Sequence, residues 1–297
     1  MATRLIQILG YLRHRGGSMR HAVVLFAMLF VVVAICEVLS GARLKRYASR
    51  NFLNDTLYAL FYQGGIYSLF VYEPFFHALR PKLAILDLHL LAKWPAYGYL
   101  PIYFVVADLF GYWMHRLQHT RFLWPFHSVH HSQQTLTFIT FYRFHLIDFF
   151  MAQVVGTIPL LLLGAPPHVW PAIGFGQWFL QAIQHSELNW RLGPFYRAIV
   201  GPVFHSIHHS PEPKYFNKNF AMAFSFWDFL FGTGVDAKQR CTVYGVTGLA
   251  MPETIFAQCT MPFRMLYELV VRGSRPDSPQ PIDPPQRFET LGAKSDG

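Results

Sequence analysis

Residues 108–131 read DLFGYWMHRLQHTRFLWPFHSVHH and contain five histidines. These form an HxxxH motif (His115, His119) and an HxxHH motif (His127, His130, His131). On an α-helix, residues three and four positions apart lie on one face. The stretch therefore predicts helices that each direct two or three imidazoles toward one point.

A second HxxHH motif (His205, His208, His209) follows later in the chain, with His185 between the two. Histidine is the commonest metal ligand among the side chains. Nine imidazoles are more than one ion needs, so the sequence predicts two metal ions. The predicted metal ligands are His115, His119, His127, His130, His131, His185, His205, His208 and His209. Histidines without a motif partner are interpreted as ordinary residues: His14, His21, His77, His89 and His168.

The residues inside the first motif bear on the identity of the metal. Zinc proteases use HExxH, in which a glutamate acts as general base, whereas the residues between His115 and His119 are Arg-Leu-Gln. Nitrogen ligands with open positions fit iron and oxygen chemistry better than a closed structural zinc site. Two alternatives stay open: a membrane hydrolase or isomerase with a zinc pair, and a non-catalytic metal-binding membrane protein.

The composition indicates an integral membrane protein. Of the 297 residues, 53% are hydrophobic and only 14% are charged, and the mean hydropathy is +0.24. Soluble domains carry about 25% charged residues. The three cysteines form no CxxC motif, so neither a disulfide framework nor a thiolate metal site is predicted. We attribute the net charge of +9 to cytoplasmic loops and anionic lipid contact, and we expect no nucleic acid partner.

The apolar runs predict an all-α, multi-pass transmembrane bundle of four or five spans. The runs are 22–40, 54–73, about 97–114, 146–164 and 168–184. The tip of the last hairpin, around Ala165–Pro167, carries no Lys or Arg, whereas both histidine-bearing segments are basic. By the positive-inside rule, the histidine motifs form a helical cap on the cytoplasmic face. The plasma (inner) membrane is favoured over the endoplasmic reticulum.

Four regions follow from this pattern. Residues 1–100 hold the N-terminal spans, 101–235 the histidine-bearing catalytic domain with its hairpin, 236–272 a C-terminal segment, and 273–297 a Pro-rich tail predicted to be disordered. Within the catalytic domain, residues 219–231 are predicted to form an amphipathic or buried helix. Its end is marked by Gly232 and Gly234.

Two further residues lie close to the motifs. Asp108 precedes His115 by two helical turns, and an acidic residue inside an apolar span is costly and functional by default. We interpret it as the acceptor for the second ring N–H of a ligand histidine, and two alternatives stay open: a metal ligand and a structural polar contact. His145 begins the fourth run, and its role is left open among metal ligand, partner of a ligand, and neither.

Several segments together resemble the fatty acid hydroxylase/sterol desaturase superfamily. They are HRLQH, HSVHH, HSELNWRLGPF, HSIHHSPEPKYFNKNF and WDFLFGTG, and they span roughly residues 100–235. The resemblance implies a membrane enzyme with a non-haem di-iron centre, which uses O₂ and two external electrons to hydroxylate, desaturate or cleave a lipid. It also implies that the nine histidines are the ligands and that Asn219 belongs to the catalytic site.

One further expectation concerns the electron donor. The chain contains no haem or ferredoxin motif, so an external ferredoxin, cytochrome or flavoprotein reductase is expected to donate the electrons.

Aromatic residues near the motifs are expected to line a lipid tunnel or to serve ordinary packing: Trp113, Phe122, Trp124, Phe126, Phe138, Phe141, Trp178 and Trp227. The family often has Asn-Tyr-Gly and His-Pro where this chain has Asn219-Phe220-Ala221 and His145-Leu146, which puts the local substrate pocket in question.

Overall fold

The computed structural model of the protein describes residues 24–91, 93–166, 170–236 and 239–271. Across these residues the fold is all-helical, as predicted, with ten α-helices and no β-strand. The helices are α1 (Val24–Leu39), α2 (Arg50–Gln63), α3 (Glu73–Leu79), α4 (Ala96–Gln118), α5 (Trp124–His131), α6 (Leu146–Leu163), α7 (Trp170–His185), α8 (Pro202–His208), α9 (Phe226–Leu230) and α10 (Ile255–Val271). The predicted tail, the hairpin tip at Pro167, and residues 22–23 of the first apolar run lie outside the described residues.

Helices α4 and α6 form the most extensive helix pair. Their apolar contact joins Tyr103 and Ala107 of α4 to Leu163, and Ile173 of α7 completes the cluster. Among the described residues, α6 alone is both long and apolar enough to cross a membrane, with 18 residues and a mean hydropathy of 2.0, and α1 is a shorter apolar helix. The count of four or five spans stays a prediction.

Local sequence determines both ends of α6. At its start, the His145 ring accepts a hydrogen bond from the Ile147 backbone N–H at 3.2 Å, which satisfies one of the free donors of the first turn. At its end, Gly164 adopts a left-handed conformation with φ 69°. A Cβ at this glycine would lie 2.7 Å from the His89 Cα, so only glycine fits the close approach of these two backbones.

Two predicted helices are shorter than the sequence suggested. The apolar run 54–73 is interrupted after α2, because Gly65 adopts φ 85°, and Pro74 lies in the first turn of the next helix, α3. Of residues 219–231, only α9 is helical. The carboxylates of Asp108 and Asp228 accept hydrogen bonds from backbone N–H groups in the segment before α9. This segment therefore forms a loop.

The N-terminal helices also contact the histidine-bearing region through a buried ion pair. The Arg143 guanidinium donates from Nε to the Asp55 carboxylate of α2 at 2.6 Å, and both side chains are almost fully buried. Arg143 also donates to the Asn51 carbonyl at 3.1 Å. The short 3₁₀ segment Phe138–Tyr142, which packs against α2 and α7, is thereby fixed next to α5.

Candidate metal centre

The structure brings all nine predicted ligand histidines into two groups. Group one contains His115, His119, His127, His131 and His208, and group two contains His130, His185, His205 and His209. Within each group, one ring nitrogen per residue lies within 4.8 Å of those of the other members. Of the nine residues, His119 alone is partly exposed.

Each HxxHH motif is divided between the two groups. Helix α5 contributes His127 and His131 to group one and His130 to group two. Helix α8 contributes His205 to group two and His208 to group one, and His209, which directly follows α8, belongs to group two. The residues four apart share one face, and the remaining histidine lies about 60° from the first and about 100° from the last of the motif around the helix axis. Each motif therefore contributes two histidines to one group and one histidine to the other.

Backbone carbonyls orient four of the rings. His115 Nδ1 lies 2.7 Å from the Phe220 carbonyl, and His208 Nδ1 lies 2.8 Å from the Lys218 carbonyl. In group two, His185 Nδ1 and His130 Nδ1 lie 2.6 and 3.3 Å from the carbonyls of Gln181 and Arg143. A carbonyl only accepts, so each Nδ1 carries the proton and each Nε2 presents a lone pair.

The orientation of these rings brings two nitrogen lone pairs face to face, and a bound cation would remove their repulsion. The Nε2 atoms of His130 and His185 lie 3.1 Å apart, and both present lone pairs. His127 Nε2 in group one is buried with no hydrogen-bond partner among the described residues. Two facing lone pairs repel, whereas a bound transition metal ion accepts both, so the donors in each group fit a metal ion.

The charge state of the histidines agrees with this interpretation. Burial lowers the pKa of His208 to about 3, and the Lys218 carbonyl opposes this shift only partly. Burial, together with His185, lowers the pKa of His130 well below its usual value, and burial with His209 does the same for His131. These imidazoles are neutral at pH 7, as metal coordination requires.

Asp148 is a site residue that the sequence analysis missed. Its buried carboxylate accepts a hydrogen bond from His127 Nδ1 at 2.9 Å and another from the Gln118 amide at 2.7 Å. It occupies the first turn of α6, where the partial positive charge of the helix terminus stabilises a carboxylate. The signal available in the sequence was its position beside His145 at the start of an apolar helix.

Asp108 does not contact a histidine in the described structure, in contrast to the expectation. Its two carboxylate oxygens accept hydrogen bonds from the backbone N–H groups of Ala223 and Phe224 at 2.7 and 2.8 Å. Asp228 of α9 likewise binds the N–H groups of Phe220 and Ala221 at 2.8 and 2.9 Å. The two carboxylates hold the loop whose Phe220 carbonyl orients His115.

Asn219 belongs to the same loop and is fully buried. Its amide donates to the Phe204 carbonyl at 3.0 Å and accepts from the Val235 N–H at 2.8 Å, and its backbone adopts φ 56°. Asn219 thus joins α8 to the segment after α9. His145 directs Nε2 to the Cys259 carbonyl at 3.0 Å while its Nδ1 caps α6, so its ring contacts no member of either group.

A cavity of about 620 Å³ adjoins both groups and extends between α4, α6 and α7. Its histidine lining comes from His115 and His127 of group one and from His130, His185 and His205 of group two. Of the aromatic residues expected to line a tunnel, Phe141 and Trp178 do so. The size falls in the range of small-molecule sites, about 300 to 1,000 Å³.

These features define a class: a helical protein with two all-histidine groups fit for metal ions beside an apolar cavity. The sequence model of the family "Fatty acid hydroxylase" matches residues 100–233. The resemblance that the histidine motifs indicated is therefore confirmed for these residues, which are just under half of the chain.

Named relatives give further support to this resemblance. The chain is 33% identical over 186 residues to ornithine lipid hydroxylase OlsE of Rhizobium tropici, covering 62% of this chain and 56% of that protein. It is 28% identical to alkylglycerol monooxygenase of Homo sapiens, over 56% and 36% of the two chains. It is 29% identical to methylsterol monooxygenase 1-2 of Arabidopsis thaliana, over 45% and 46%. The matches thus span about half or less of each relative, and no solved structure matches the chain significantly.

Proposed function

We propose that the protein is a membrane-bound non-haem di-iron oxygenase that hydroxylates a lipid. One observation supports this most strongly: two groups of histidine nitrogens lie side by side next to a largely apolar cavity. The relatives are named lipid hydroxylases and monooxygenases, which supports an oxidation over zinc-dependent hydrolysis or metal transport.

Each part of the site has a distinct role in this proposal. A bound iron pair would supply the reduction of O₂ and the oxidation of an unactivated C–H bond, with two electrons from an external ferredoxin, cytochrome or flavoprotein reductase. The nine histidines would hold the ions. Asp148 and the carbonyls of Phe220, Arg143, Gln181 and Lys218 fix the ring orientations. The cavity would hold the lipid and exclude water from its reacting carbon.

We further propose that the histidine groups lie at the cytoplasmic face of the membrane, with the plasma (inner) membrane favoured. The C-terminal ends of α4 and α7 and the N-terminal end of α6 meet at the groups, so the apolar lengths of these helices extend to the same side. The described residues that follow α6, 164–166, carry no charge, in agreement with an outer position.

An isotope experiment tests the oxygenase proposal. Iron-loaded protein in lipid bilayers, supplied with a chemical reductant and isotopically heavy O₂, should convert a fraction of a native lipid extract into products carrying one heavy oxygen atom. Mass spectrometry reads the label. A product lighter by two hydrogens would instead identify a desaturase. Products with oxygen from water, or turnover with zinc and without O₂, would contradict the proposal.

A second prediction tests the cavity as the lipid site. A Cβ added at Gly156 of α6, which lines the cavity, would meet no atom within 4 Å. Gly156→Leu should therefore fill part of the cavity without a clash, and leucine also favours a helix more than glycine. Turnover of the lipid should fall by about tenfold or more, because small volume changes in a binding pocket have effects of this size.

The matched control is Val154→Phe, which adds volume to α6 at a half-buried position that does not line the cavity. Its turnover and metal content should equal those of the unmodified protein. Equal turnover in Gly156→Leu would show that the lipid binds elsewhere.

A further inference from the structure

The cavity contains an unusual stripe of amide side chains. Helices α6 and α7 carry four glutamines, and each of them lines the cavity: Gln153, Gln177, Gln181 and Gln184. Amide groups in apolar helices are costly unless they are hydrogen-bonded. A cavity for a bare hydrocarbon chain would not need them.

Gln184 carries the sharpest information. Its side chain is 2% exposed, and its Nε2 donates to the Met222 carbonyl at 2.6 Å. Because that carbonyl only accepts, the amide cannot be rotated to exchange its two ends. The Gln184 Oε1 atom is buried and has no hydrogen-bond partner among the described residues. An orphaned acceptor is left beside the cavity.

A matching donor lies farther along the same helix. Trp178 lines the cavity, and its buried indole N–H lies near the Tyr142 hydroxyl but forms no hydrogen bond of normal geometry among the described residues. Six residues of helix separate Trp178 from Gln184, about 9 Å along the axis. Gln184 directly precedes His185, whose Nε2 belongs to group two. The acceptor therefore lies at the histidine end of the cavity and the donor lies deeper.

We propose that Gln184 is a specificity-determining residue that accepts a hydrogen bond from an N–H or O–H group of the lipid substrate. The substrate class is then a lipid with a donor-bearing linkage, such as a secondary amide or a free hydroxyl, close to the oxidised carbon. An ester linkage only accepts and would leave Gln184 Oε1 unpaired. The Trp178 N–H serves a carbonyl of the same lipid. This inference rests on the proposed function only in taking the cavity as the lipid site.

Binding of matched probe lipids tests the proposal without turnover. The full chain, free of metal and in detergent micelles, is titrated with three synthetic lipids of equal chain length: a secondary amide, its ester isostere and its N-methylated amide. A fourth lipid replaces the amide by a secondary alcohol. An unpaired buried acceptor costs about 1–3 kcal/mol, so the amide should bind about tenfold more tightly than the ester and the N-methyl amide. Tight binding of the alcohol instead of the amide identifies a hydroxyl as the donor.

Two variants connect the preference to the residue. Gln184→Met keeps the length of the side chain and removes the acceptor. This variant should therefore bind the amide and the ester with about equal affinity. Trp178→Phe keeps the ring position and should weaken the amide and the ester alike. The comparison of the probe lipids on the unmodified protein does not depend on whether a variant folds.

The outcomes separate this inference from the proposed function. Equal binding of the amide, alcohol and ester by the wild type, or an unchanged preference in Gln184→Met, overturns the role of Gln184. If binding of every probe is unaffected by Gly156→Leu, the cavity is not the lipid site, and the cavity assignment itself fails.

Discussion

Replacement of His208 by alanine should leave about one metal ion per chain where the unmodified protein holds about two, and it should abolish oxygen-dependent turnover. His208 is the single histidine that α8 contributes to group one, and its ring is oriented by the Lys218 carbonyl. Water entering the vacated position cannot reproduce a nitrogen ligand held in a fixed orientation. Replacement of His185 in group two should have the same effect on the other ion.

Metal analysis of anaerobically purified protein, together with product formation per folded chain, measures both effects. His77→Ala is the control, because His77 is exposed in α3 and belongs to neither group. A stoichiometry of about one ion in the unmodified protein, with iron freely available, would contradict the two-ion arrangement. Full turnover in both histidine variants would contradict the location of the site.

Asp148→Ala should lower metal affinity or turnover by about 10- to 100-fold, the usual effect of removing a partner that orients a ligand histidine. The substitution leaves two buried donors, His127 Nδ1 and the Gln118 amide, without their acceptor. Asp148→Asn should give a smaller loss. Its amide oxygen still accepts from one donor, while its amide nitrogen faces the other donor unfavourably.

Metal titration of the metal-free variants, with thermal unfolding as a check of folding, measures the predicted ranking. Asp87→Asn is a suitable control, since Asp87 forms an ion pair with Arg80 near the surface, and such pairs contribute little. Unmodified metal affinity in Asp148→Ala would show that the carboxylate does not orient His127.

The sequence predicted which histidines come together, but it could not predict how they divide. Helical spacing places His127 and His131 on one face and His130 beside them, and this follows from the chain alone. The assignment of His130 to the same group as His205 depends on how α5 and α8 are packed. That packing is a long-range property, which periodicity within one helix does not contain.

Asp108 shows why spacing can mislead. Its position two turns before His115 put both residues on one stripe of α4, as expected. The loop 219–225 comes from far along the chain and supplies the backbone N–H groups that the Asp108 carboxylate binds. The same loop explains the missing helix: carboxylates of Asp108 and Asp228 hold its N–H groups, which are then occupied and cannot form helical hydrogen bonds.

The buried pair of Asp55 and Arg143 has a practical consequence for work with fragments of this protein. The family match begins at residue 100, which suggests a shortened chain that omits α2. Such a fragment would lack both the Asp55 carboxylate and the Asn51 carbonyl that bind the Arg143 guanidinium. Arg143 also supplies the carbonyl that orients His130. A truncated or chimeric enzyme should therefore retain α2. Without α2, the residue that orients His130 of the second histidine group has no counterion for its guanidinium.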